Sequence, residues 1–127
     1  MIDDRDREAL DAYSEAVTAV VQQVLPSVAS LRVRSRLGDG AGSASVLTGD
    51  GFLLTSAHVV DGVNTVVAAF ADGNEVTADV VGRDAFSDLA VLRARGDVPS
   101  PVALGDASKL QVGQLVIAVG NPLGLAG

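Results

Sequence analysis

Two periods of hydrophobicity divide the chain. Over residues 6–25, Leu10, Tyr13, Val17, Val20 and Val24 recur at alternating three- and four-residue steps. That spacing draws one apolar stripe along an α-helix. Asp11, Glu15, Thr18 and Gln22 fall on the other side. Acidic residues at the start suit the helix dipole, and Pro26 ends the pattern because the residue before a proline is pushed out of the helical region. The stripe predicts a helix packed on the body of its own domain. Docking on a neighbouring chain is the sharper alternative.

From Val28 the period falls to two. Val28, Ser30, Arg32 and Arg34 alternate with Ala29, Leu31 and Val33, the signature of a half-buried strand. Further runs predict strands at Ser43–Leu47, Phe52–Thr55, Val63–Phe70, Glu75–Arg83, Leu89–Ala94 and Leu115–Val119. Gly49-Asp50-Gly51 and Ala71-Asp72-Gly73-Asn74 separate neighbours as hairpin turns, where Asp-Gly meets the need for positive φ. Arg36–Gly40 and Gly96–Pro101 read as surface loops. The expected architecture is all-β: a single closed antiparallel barrel of six to seven strands over residues 26–127. An amphipathic α-helix over residues 1–25 precedes it. Closure removes the exposed edges that short strands would otherwise present.

Composition narrows the functional classes. The 127 residues are 48% hydrophobic but only 3% aromatic, so Val, Leu and Ala must build the core. The net charge is −7 and the nine basic residues are scattered, which argues against a nucleic-acid or anionic-membrane partner. No cysteine is present, and one histidine leaves a metal site resting on carboxylates alone. No cofactor is expected. No apolar stretch reaches the roughly 18 residues of a membrane span. The N-terminus opens Met1-Ile2-Asp3-Asp4-Arg5 and does not read as a signal peptide. That leaves a cytoplasmic protein or one from which a leader has been removed.

The chemistry concentrates at two residues. His58, the only histidine, follows a predicted strand at the start of a short turn, and Asp88 stands at the mouth of another strand thirty positions later. A serine hydroxyl needs a base to take its proton and return it to the leaving amine, and imidazole titrates in the right range. A carboxylate on the far ring nitrogen fixes the tautomer. Taken alone, His58 would equally suit a structural histidine satisfied by a backbone carbonyl, and Asp88 a cap or turn carboxylate.

The surrounding text decides between them. Gly42-Ser43-Ala44-Ser45-Val46-Leu47, Gly51-Phe52-Leu53-Leu54-Thr55 and Ala57-His58-Val59-Val60 resemble the stretch leading into the catalytic histidine of the HtrA/Deg branch of the trypsin-like serine proteases. Asp84-Ala85-Phe86-Ser87-Asp88-Leu89-Ala90-Val91-Leu92 is similar to that family's aspartate segment. Leu104-Gly105-Asp106-Ala107-Ser108, Val112-Gly113 and Val119-Gly120-Asn121-Pro122-Leu123-Gly124-Leu125 look like its run towards a second barrel. The resemblance covers about residues 26–127. It implies His58 as general base and Asp88 as its orienter. It gives Ser87 no certain role and makes Asn121-Pro122 a turn rather than a catalytic element.

One departure is large. The family's nucleophile lies in a Gly-Asn-Ser-Gly-Gly-like loop, and none of the ten serines here has that context. The resemblance therefore implies an N-terminal barrel of a longer endopeptidase acting on unfolded or extended polypeptide, inactive alone because the nucleophile is missing. A face meant for a second barrel would favour a homo-oligomer. The alternative is a complete, non-catalytic barrel that binds a peptide or partner, or pairs with itself.

Overall fold

The computed structural model describes residues 3–121. Helix α1 runs Asp4–Val24. Asp3 caps it, its carboxylate accepting from the Asp6 amide at 2.9 Å and so satisfying one of the free N–H groups of the first turn. A 3₁₀ turn at Leu25–Ser27 with Pro26 inside it delivers the chain to the first strand.

Six strands follow: β1 (Val28–Ser35), β2 (Gly38–Val46), β3 (Phe52–Thr55), β4 (Thr65–Phe70), β5 (Glu75–Asp84) and β6 (Leu89–Ala94). They close an antiparallel barrel in the order β1-β2-β3-β6-β5-β4. The seam is β1 on β4, with Ala29 opposite Phe70 and Leu31 opposite Ala68. Alternation sets the inside: Ala29, Leu31 and Val33 of β1 are buried, whereas Arg32 and Arg34 point out. Leu31, Val46, Leu53, Val60 and Leu92 are wholly buried and fill the centre. Val60 belongs to no strand. It plugs the barrel from a 3₁₀ turn at Ala57–Val60.

Three expectations need correction. The first concerns the segment expected as a loop at Arg36–Gly40. It is a tight turn at Arg36-Leu37, because Gly38 takes φ +124 and lets β2 start at once against Ser35. A second is the strand expected at Leu115–Val119, which does not form. That segment lies along the outside with Leu115 and Val116 exposed and finds no strand to pair with. Alternation reports only that a strand could form there; the ladder needs a partner edge, and the closed barrel offers none. The third is the packing of the N-terminal helix, since α1 buries none of its residues and Leu10 and Tyr13 are about half exposed at 52% and 56%. Periodicity shows that a helix face is apolar and is silent about what covers it.

Candidate active site

The turn that carries His58 is fixed by its apolar neighbours. In a 3₁₀ helix, residues three apart share a face. Ala57 and Val60 share the inner one, and both are buried. Val59 packs on the core beside them, over Gly42 of β2. A Cβ at position 42 would lie 2.5 Å from Val59 Cγ1, so only glycine lets the turn sit this close to the strand. With its three companions turned towards the barrel, His58 faces out, its side chain 73% exposed.

Asp88 meets it from the start of β6. Its backbone takes φ +55, the one positive value at a non-glycine residue among the described residues. That conformation is costly for most side chains and tolerated best by Asn and Asp. Here it is over-determined by contacts. The Ala57 amide donates to the Asp88 carbonyl at 3.1 Å. The His58 amide donates to Asp88 Oδ1 at 2.9 Å, and His58 Nδ1 lies 2.7 Å from Oδ2. One carboxylate thus grips both the backbone and the ring of the same histidine.

The electrostatics follow from these bonds. The His58 amide, and then its ring, hold the Asp88 carboxyl below its ordinary value of 3.8, against a smaller upward push from desolvation. An ionised carboxylate only accepts hydrogen bonds, so Nδ1 carries the proton in this pair. In the neutral ring, the lone pair then sits on Nε2, which can accept a proton from an incoming hydroxyl. The pair opens onto a cleft of about 250 Å³ lined by Ala57, His58, Asp61, Arg83, Ala85 and Asp88. Larger grooves of about 410 and 520 Å³ run past Arg34 and Thr65, but they hold no acid–base pair. Chemistry, not volume, marks the site.

Sequence reasoning named His58 and Asp88, and the structure brings them together. It passed over their supports. Arg83 donates to the carbonyls of Val60 and Val63, both at 2.8 Å. Asp84 Oδ1 accepts from the Phe86 amide at 3.1 Å, and Oδ2 from the Ser87 hydroxyl at 2.9 Å, shaping the turn that ends in Asp88. Ser87 therefore has a place as a turn residue. An aspartate bonding an amide two residues on is a local signal and was legible in Asp84-Ala85-Phe86. The reach of Arg83 was not. Asn121 is tied back by its amide to Ser43 Oγ at 2.8 Å, while Pro122 lies outside the described residues. No group of three or more His, Cys, Asp or Glu that could hold a metal ion, and no helix long and apolar enough to cross a membrane, occurs among the described residues.

The comparisons with known proteins bear on the family and the fold. Residues 42–127 match the trypsin-like peptidase domain family. A probable periplasmic serine endoprotease, DegP-like, from Halomonas elongata is 42% identical over 84 residues, covering 66% of this chain and 18% of the relative. The serine protease Do-like HtrA of Bacillus subtilis is 43% identical over 89 residues, 67% of this chain and 20% of the relative. The solved structure of the HtrA-type protease AlgW with a tripeptide superposes with a TM-score of 0.70 at 33% identity, covering 76% of this chain and 32% of that one. The chain thus spans about a fifth of the length of these two relatives and about a third of that structure. On its barrel, its motifs and these matches together, the chain belongs to the trypsin-like peptidase domain family, in the HtrA/Deg-like branch.

Proposed function

We propose that this barrel supplies the acid–base half of an HtrA/Deg-like serine endopeptidase site. His58 is the general base and Asp88 its orienter. One observation carries the reading: Asp88 divides its two carboxylate oxygens between the ring Nδ1 and the backbone amide of His58. That division fixes the tautomer and the ring orientation together. Nε2 takes the proton from a serine hydroxyl as it attacks the peptide carbonyl, and Asp88 stabilises the imidazolium that forms. The proton then passes from Nε2 to the leaving amine. The serine must come from a segment with the Gly-x-Ser-Gly-Gly context that these 127 residues lack. The substrate class is extended or unfolded polypeptide, in keeping with relatives named serine endoproteases. The chain as given does not hydrolyse peptides by itself. It also self-associates, a reading supported by the exposed apolar side chains of Leu10, Tyr13, Leu104, Leu110 and Val112.

A graft tests the catalytic assignment. Residues 26–127 replace the matching segment of the Bacillus subtilis relative, and turnover of an unfolded protein is followed. The chimera hydrolyses the substrate. It loses about a millionfold in kcat with His58→Ala and about ten-thousandfold with Asp88→Asn. A folded chimera whose turnover survives His58→Ala overturns the assignment. Hydrolysis by the 127-residue chain alone that disappears with His58→Ala overturns instead the reading that the chain is inactive by itself, since it would reveal a nucleophile within these residues.

A further inference from the structure

The end of β5 carries a device that the acid–base pair itself does not explain. Val80 stands opposite Leu92 of β6, yet Gly82 stands opposite Val91, so Val81 is an extra residue, a β-bulge. Residues paired across an antiparallel ladder share a face. Ala90 and Leu92 point into the barrel, 1% and 0% exposed. Beyond the bulge Arg83 pairs with Ala90 and so emerges on the inward side, at the mouth of the barrel. Were Val81 instead to take a regular place in the ladder opposite Val91, Arg83 would oppose Leu89, which is 46% exposed, and would point outward. The bulge therefore turns one cation towards the site.

What Arg83 meets there is the back of the histidine turn. A 3₁₀ turn of four residues leaves its last carbonyls without partners inside the turn. The guanidinium spans Val60 O and Val63 O, 2.8 Å from each, bracketing the exposed Asp61-Gly62 corner. Besides Arg83, the described hydrogen bond across this corner is the Val63 amide on Val60 O at 3.3 Å. A planar fork can hold two acceptors at once, which an ammonium cannot do with the same rigidity. Asp84, the next residue, holds the aspartate turn through Phe86 and Ser87. Adjacent residues at one strand end thus tie down the two turns that must meet.

We propose that Arg83, aimed by the Val81 bulge, is a positioning residue that holds the His58 turn in register with Asp88. The proposal builds on the reading of that pair as the acid–base half of a peptidase site, but its test uses no hydrolysis. Because His58 is the only histidine, its ring N–H gives a single imidazole signal in the NMR spectrum of the 127-residue chain. Exchange of that proton and of the His58 amide with solvent reports the hydrogen bonds to Asp88. The amides of Leu53 and Leu92 report the barrel.

With Arg83→Met, both His58 protons exchange about tenfold faster or more, the scale of a lost charged hydrogen bond. The core amides stay within about twofold. Arg83→Lys, which keeps the charge and can hold one carbonyl, falls between the two. Exchange at the wild-type rate in Arg83→Met, or an equal acceleration of site and core, overturns the proposal. Should Arg83→Met fail to fold, Arg83→Lys decides: wild-type exchange at His58 refutes it, and selective loosening there upholds it. If the graft stays active and dependent on His58 while this test fails, the peptidase reading stands without Arg83.

Discussion

Asp88 does three things from one position: its carbonyl accepts from Ala57, and its two carboxylate oxygens accept from the amide and the ring of His58. All three depend on the left-handed backbone at φ +55, and the carboxylate bonds also depend on charge. The bonds from His58 lower the Asp88 pKa from 3.8. A carboxylate that binds protons less readily when folded stabilises the fold above its unfolded value, and that stability is lost as pH falls through the folded value. The urea midpoint of the wild type therefore exceeds that of Asp88→Asn at pH 5, and the gap closes as pH drops below 3.8. Asp79, lowered by Arg95, and Asp106, lowered by Ser108, titrate in both proteins and cancel from the difference. A gap that stays constant down to pH 2 would mean that the ionised carboxylate contributes nothing to the folded state.

At the scale of elements, the site is a meeting of two turns on a rigid frame. The histidine turn rests on β2 through Gly42, and the aspartate turn grows from β5 through Asp84. Gly42→Ala places a methyl 2.5 Å from Val59 Cγ1 and 2.9 Å from Cγ2. One or the other must move, at a cost of about 1–3 kcal/mol for overpacking. Because the turn is four residues long and Gly42 is held in an eight-pair ladder opposite Leu31 of β1, the turn yields first and His58 moves with it. Adding Val59→Ala removes both clashing methyls and recovers most of the loss, which a double-mutant cycle in urea would measure. Strictly additive effects would place the cost of Gly42→Ala elsewhere in β2. This contact was half legible. Gly42-Ser43-Ala44-Ser45 stood out as a motif in the sequence, but nothing there said that the glycine makes room for a residue seventeen positions on.

On the scale of the whole molecule, apolar surface is left over. Leu10 and Tyr13 on α1, and Leu104, Leu110, Val112, Leu115 and Val116 beyond β6, are more than half exposed. Burying each large side chain is worth about 1.5–3 kcal/mol, so a second surface covering several of them would bind. If the chain self-associates as proposed, sedimentation equilibrium across a concentration series will give a mass above 12.8 kDa that rises with concentration. Leu10→Glu with Tyr13→Glu shifts the protein towards monomer if α1 takes part. A wild type that stays monomeric at high concentration refutes self-association.

The linear order of residues was sufficient for the local structure. Alternation marked β1 and short apolar runs marked β2 to β6, with β2 starting five residues before the expected Ser43, because inward side chains are mostly apolar where the closed barrel has a core. The 3.6-residue stripe marked α1. Residue type and neighbouring text marked His58 and Asp88, since few side chains can serve as a base and its orienter. Tertiary structure alone decided the rest. Whether the apolar stripe of α1 is covered, whether Leu115–Val119 finds a partner edge, and which way Arg83 points after a one-residue bulge all depend on surfaces supplied by distant parts of the chain. A period in the sequence specifies which face of an element is apolar; only closure of the barrel specifies what that face meets.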